Sequence, residues 1–302
     1  MKIKTSTVYF TPVDKNSTLS DIARRLLQTV IEENQITLEK TIPLKVHFGQ
    51  PGNQTFIKPN NFKGIIDYLA EQQIKTYYIE TNTATGPREY KIGHENTAKE
   101  HGFTQIPVVI ADGVDGFDHQ LVSIENGKHF KQCKIASKLA EQKQIIVLSH
   151  FKGHILSGLA GAIKMLGVGF ASGRGKTELH SSVEMKHDQK IDWTDWTKLY
   201  QQNDFIERST EYALAAIKNK NMIYVNFAIS ITKNCDCDGE AMTPIYKDLG
   251  IFASTDPVAI DKACFDMLEK REGKKPFTGD AIFSYAEKLG LGSTKYSIKS
   301  VI

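Results

Sequence analysis

Only four of the 302 residues are cysteine, only two are tryptophan, and basic side chains outnumber acidic ones by just three. Each scarcity excludes something. With a net charge of +3 and no Lys/Arg run, the chain has no surface for tracking phosphates, so nucleic acid is not an expected partner. No apolar run is fit to cross a membrane. The most apolar stretch, residues 155–171, is broken by Gly158, Gly161, Gly167 and Gly169 and carries Lys164 near its middle. A charge at mid-bilayer costs about 3 kcal/mol or more, so this stretch reads as a buried element and no membrane partner is expected. Residues 1–14 show no apolar core with a cleavage site, and four cysteines do not make a secretory disulfide framework. Reduced thiols and a cytoplasmic location are the expectation.

What is present suffices for a folded core: 40% of residues are hydrophobic and 24% charged. Apolar strand-like runs alternate with helical patterns, the mark of an α/β fold with an open, mostly parallel sheet and flanking helices. Strands are expected at 44–48, 76–80, 108–110, 144–149, 222–231 and 250–254, and helices at 62–73, 96–101, 207–218 and 257–270. Asn60 or Asn61 would cap the first helix, and Asp256 followed by Pro257 opens the last. The chain reads as one α/β unit over 1–302, with room for a change of lobe near 149. Residues 181–203, which hold both tryptophans, read as a surface excursion. Glu80, His150 and Asp256 all follow the carboxyl ends of apolar runs, the edge where open α/β sheets bind ligands.

Six short stretches carry residues suited to chemistry. In Ser149-His150-Phe151-Lys152-Gly153-His154 the two histidines are either ligands of one ion or one packing and one solvated residue. In Gly173-Arg174-Gly175-Lys176, Phe170 stands where a P-loop needs its first glycine, and 167–172 lacks the last glycine of a dinucleotide fingerprint. What remains is a basic, glycine-rich turn running to His180, in which Arg174 and Lys176 either bind an anion or are solvated. Cys235-Asp236-Cys237 follows a strand, and sulfurs two residues apart in extended chain face one side, so they either share a soft metal or sit inert. Asp256 is a helix cap or a further ligand. Lys58 and Asn60, and Glu80 with the Thr81–Gly86 loop, complete the set.

These segments, in this order, resemble the domain-of-unknown-function family numbered 362. The resemblance is carried by Ile57-Lys58-Pro59-Asn60, Glu80-Thr81-Asn82-Thr83-Ala84-Thr85-Gly86, Ser149 to His154, Gly161-Ala162-Ile163-Lys164, Gly175-Lys176 with His180, Cys235-Asp236-Cys237-Asp238-Gly239, Ser254 to Asp261 and the closing Tyr285 to Ser293. The family has no settled reaction, and some members are iron–sulfur proteins. Many relatives carry a ferredoxin-like insert after the position of His180; this chain has a cysteine-free stretch there, so those clusters are absent. Met165 also stands where relatives tend to have Asn. At fold level the family is similar to the nickel-dependent lactate racemase type, from which no catalytic residue carries over.

The leading expectation is a metal-dependent enzyme moving a proton or hydride on a small anionic substrate. His150, Lys152 and Glu80 are its candidate catalytic residues, and Lys58, Asn60, Lys164, Arg174 and Lys176 its anion-binding set. Cys235, Cys237, His154, His180 and Asp256 would hold zinc, iron or nickel. The alternatives are an iron–sulfur or metal-binding electron carrier, its cluster completed across a homodimer, and a metal-free anion-binding protein.

Overall fold

In the computed structural model, residues 5–13, 17–181 and 202–301 are described. A parallel block is built from β2 (Thr41–Lys45), β3 (Lys75–Glu80), β4 (Val108–Ile110), β7 (Gln144–His150) and β10 (Asn221–Ala228). Next to β10 lies β11 (Gly250–Ser254), antiparallel to it, and then β1 (Ser6–Pro12) and β12 (Tyr296–Ser300). The order is β12-β1-β11-β10-β7-β2-β3-β4, one open and mostly parallel sheet, as the alternation predicted. It is continuous through residue 149: β7 sits at its centre, paired to β2 on one side and β10 on the other. Two hairpins stand apart, β5 (His119–Ser123) with β6 (Gln132–Ala136), and β8 (Lys152–His154) with β9 (Gly158–Ala160).

Strand alternation divides the core in two. Ile145 and Val147 of β7 face α5 (Ala162–Phe170), α7 (Gln202–Ile217) and α8 (Pro257–Glu272), while Ile146 and Leu148 face α1 (Leu19–Glu33) and α2 (Lys63–Glu71). Helix α1 follows from its apolar spacing: Ile22, Leu26, Leu27, Val30 and Ile31 are buried, and Thr18 caps it by accepting from the Asp21 amide at 3.1 Å. Helix α8 opens at Asp256, whose Oδ1 accepts from the Val258 and Ala259 amides, and closes at Gly273 with φ +69°. Among the described residues no helix is long and apolar enough to cross a membrane.

Several expectations are corrected. The basic, glycine-rich turn is a helix, α6 (Gly173–Ser181), started by the Ser172 hydroxyl, which accepts from the Gly175 amide. Neither Asn60 nor Asn61 caps α2; both lie in a 3-10 turn, Pro59–Phe62, that leads into it without a side-chain cap. Cys133, which lies in none of the expected elements, belongs to strand β6. Residues 182–201 of the expected surface excursion lie outside the described residues.

The order of strands places a site. From β2 the chain builds outward through β3 and β4, and later from β7 outward through β10 and β11. The two directions part between β2 and β7, and loops leaving the carboxyl ends there diverge and open a crevice.

Candidate functional site

That crevice is a cavity of about 550 Å³. His47 follows β2, Glu80 ends β3, His150 ends β7, and the Asn234–Gly239 loop comes after β10; all four line it. The hairpin β8–β9 adds Lys152 and His154, α5 adds Lys164, and α6 adds Lys176 and His180. Nine of the sequence candidates therefore meet at one place: Glu80, His150, Lys152, His154, Lys164, Lys176, His180, Cys235 and Cys237. Four do not line it. Lys58 lies over the Phe56 ring at 3.6 Å, Asn60 is exposed, and Arg174 lies over the Phe117 ring at 4.6 Å. Asp256 is occupied as a cap, its Oδ2 accepting from the Ser6 hydroxyl and the Ser293 amide.

Most of the buried charge is compensated. Lys45, fully buried, donates to Glu80 Oε1 at 2.6 Å. Asp236 Oδ2 takes both Lys152 Nζ at 2.7 Å and His150 Nδ1 at 2.9 Å, while His150 Nε2 donates to the Ile229 carbonyl at 2.8 Å. Burial alone would raise the Asp236 carboxyl, but the charges of His150 and Lys152 outweigh it and hold it well below the usual range. Both nitrogens of His150 are thus engaged, so it and Lys152 brace the cavity wall through Asp236. Lys176 is saturated by oxygens, donating to the carbonyls of Thr81, Asn82 and Ala171 and to the Thr81 hydroxyl. Its pKa falls to about 8, burial being the main cause.

Two cations stand differently. Arg88 is 1% exposed; its Nε donates to Gln50 Oε1 at 2.7 Å, and its outer nitrogens meet no acceptor among the described residues. Burial brings its pKa to about 10, which leaves it charged at neutral pH. Among the described residues Lys164 Nζ has no hydrogen bond and no ion pair, and burial followed by repulsion from Lys152 lowers its pKa to about 7. Its place is set from beneath: Asp261 accepts from the Ala162 and Ile163 amides at 2.7 and 2.8 Å, fixing the start of α5. A Cβ on Gly161 would come within 2.3 Å of Asp261 Oδ1, so that contact requires glycine. Sequence reasoning missed Arg88, because an isolated arginine after Gly86-Pro87 has no motif around it. It also missed His47 and Asp236, the latter hidden inside the cysteine pair.

A ring nitrogen of His154 and the sulfurs of Cys235 and Cys237 all lie within 4.8 Å of one another. This donor set does not fit a metal in the state seen. The two sulfurs are bonded to each other, a correction to the expectation of reduced thiols. His154 Nδ1 accepts from the Leu156 and Ser157 amides at 3.2 and 3.0 Å, so its lone pair is committed and the ring's single proton lies on Nε2. The remaining thiols, Cys133 and Cys264, are fully buried in β6 and α8 and do not line the cavity, so they cannot complete a four-cysteine cluster there. His180 has the opposite tautomer, its Nδ1 donating to the Lys176 carbonyl at 2.6 Å, and burial chiefly lowers its pKa to about 4.

The family model described as "Domain of unknown function (DUF362)" matches residues 42–266, a span containing every cavity-lining residue named above. No curated protein matches the chain. Among solved structures, a Thermotoga maritima protein is 14% identical with a TM-score of 0.52, covering 86% of this chain and 61% of its own. The lactate racemase apoprotein from Thermoanaerobacterium thermosaccharolyticum is also 14% identical, with a TM-score of 0.44, covering 76% of this chain and 51% of its own. The chain thus spans between half and two thirds of the length of these structures. At that identity the Thermotoga likeness is one of fold.

Proposed function

Because the chain belongs to the DUF362 family, whose description names no reaction, we propose a function from the cavity itself: an enzyme that binds a small carboxylate and moves a proton on it. The observation that carries this reading is Arg88, a fully buried guanidinium with no carboxylate at ion-pair distance among the described residues. A buried charge without a direct ion pair is costly, and a ligand anion would compensate it. A planar guanidinium with its outer nitrogens unengaged suits the two oxygens of a carboxylate.

Lys164 supplies the proton step. A lysine half neutral near pH 7 presents an amine lone pair and takes a proton from a carbon made acidic by an adjacent carbonyl or carboxyl group. Removing the charge on Lys164 also leaves Arg88 as the principal anion anchor. The cavity volume of about 550 Å³ suits a small ligand.

The test is exchange of substrate C–H for deuterium in D2O, followed by proton NMR with short 2-oxo and 2-hydroxy carboxylates. Loss of a C–H signal with the wild type, and its persistence with Lys164→Met, is the expected result. Exchange that continues unchanged in Lys164→Met overturns the assignment of the base.

A further inference from the structure

The cysteine pair has no part in that proton transfer, yet it forms the wall of the same cavity. Its two sulfurs are unequal. Cys235 is 4% exposed, while Cys237 is exposed. The Cys237 amide donates to Cys235 Sγ at 3.3 Å, a contact that would stabilise a thiolate there. The loop bearing them is held independently of the sulfur–sulfur bond. Asp236 is anchored by His150 and Lys152, its carbonyl accepts from the Gln50 amide at 2.8 Å, and the Asp238 carbonyl accepts from Asn53 Nδ2 at 3.1 Å. Opening the bond therefore leaves both sulfurs within reach of each other, the condition for a bond that opens and closes repeatedly.

We propose that Cys235 and Cys237 are a redox-active couple that takes an electron pair from a thiol reductant at the cavity. A reductant thiolate attacks the exposed Cys237 Sγ. The Cys235–Cys237 bond breaks, and its electron pair leaves on Cys235 as a thiolate facing the Cys237 amide. A second reductant thiolate attacks the outer sulfur of the mixed disulfide, releasing Cys237 and one molecule of oxidised reductant. Two electrons reach the pair, and two protons from solvent complete the dithiol. The reverse sequence delivers the electron pair to a disulfide or another two-electron acceptor of that class.

The experiment equilibrates the full chain without oxygen in glutathione buffers of graded ratio, quenches with acid, alkylates, and weighs the cysteine peptides. Cys235 and Cys237 should pass together from disulfide to doubly alkylated, with a tenfold change in ratio per about 30 mV. Cys133 and Cys264, fully buried, should not respond. In Cys235→Ser the remaining Cys237 should form a mixed disulfide with glutathione at least tenfold faster than Cys235 does in Cys237→Ser. Lys164→Met should leave the couple unchanged, which separates this proposal from the proton-transfer reading. Two outcomes overturn it: both cysteines alkylated at every ratio and after exposure to air, or a reduced protein that takes up one equivalent of added zinc or nickel and then resists oxidation.

Discussion

Among the described residues the Arg88 guanidinium is held by a single side chain, Gln50, whose Oε1 accepts from Nε at 2.7 Å and leaves the outer nitrogens unengaged. Gln50 is itself fixed, since its backbone amide donates to the Asp236 carbonyl at 2.8 Å. The anion anchor and the cysteine loop thus share one support, and several outcomes follow from that arrangement.

Arg88→Met should act in opposite directions on binding and stability. Removing a charge-assisted contact of about 1.5–3 kcal/mol weakens carboxylate affinity by roughly 10- to 150-fold. Removing a buried charge that has no direct ion pair among the described residues should raise the thermal midpoint of the ligand-free protein. Calorimetric titration and a melting curve on the same preparation check both signs.

Lys164 predicts a pH dependence of rate. The neutral amine is the base, so exchange should rise with pH and level off above about 7. Lys164→Met should lower the rate by about 100-fold or more. The same group affects stability: its folded pKa lies below the unfolded value of about 10.4, so the unfolded chain binds more protons between the two. Stability gains from this group as pH rises from about 7 toward 10, and the Met variant should lose that rise in urea unfolding measured across the range.

Asp236→Ala should be among the most destabilising changes at the cavity. It leaves Lys152 and His150 facing each other without a counter-charge, a loss of about 3–5 kcal/mol for a buried pair broken on one side. Because its carboxyl is held well below the usual range, its stabilisation is complete above about pH 4 and disappears as pH falls through the depressed value. Acid unfolding of wild type and Asp236→Asn should converge at low pH.

Gly52→Ala tests the clamp on the cysteine loop. Gly52 has φ +93°, and a Cβ there would lie 2.2 Å from the Gly239 carbonyl oxygen. Strain of about 1–3 kcal/mol should appear as a lower unfolding midpoint, with faster hydrogen exchange at the amides of 236–239.

How much of this was legible in the sequence depended on whether the signal was local. The parallel sheet followed from apolar runs of strand length, and strands 108–110 and 250–254 were placed to the residue. Nine cavity residues were singled out because histidines, glycines and paired cysteines are conspicuous in short windows. The rest was not local. Arg88 becomes special only because no carboxylate reaches it, and His150 loses its role as a free base only because Asp236 and the Ile229 carbonyl take both nitrogens. The Gly173–Ser181 helix was hidden because two glycines at its start mask a helical pattern fixed by burial of Lys176 and Leu179. Helix α1 was not among the expected helices, although its apolar spacing and Thr18 cap are local signals, and it carries no cavity residue.

The central claim is that Arg88 anchors a small carboxylate in the cavity. Isothermal titration of wild type, Arg88→Met and Arg174→Ala with short 2-oxo and 2-hydroxy carboxylates, and with inorganic phosphate as the alternative oxyanion, tests it most directly. One-to-one carboxylate binding that Arg88→Met weakens at least tenfold, and that Arg174→Ala outside the cavity leaves intact, is the result this structure leads us to expect. Equal affinity in wild type and Arg88→Met, or binding of none of these anions, contradicts it.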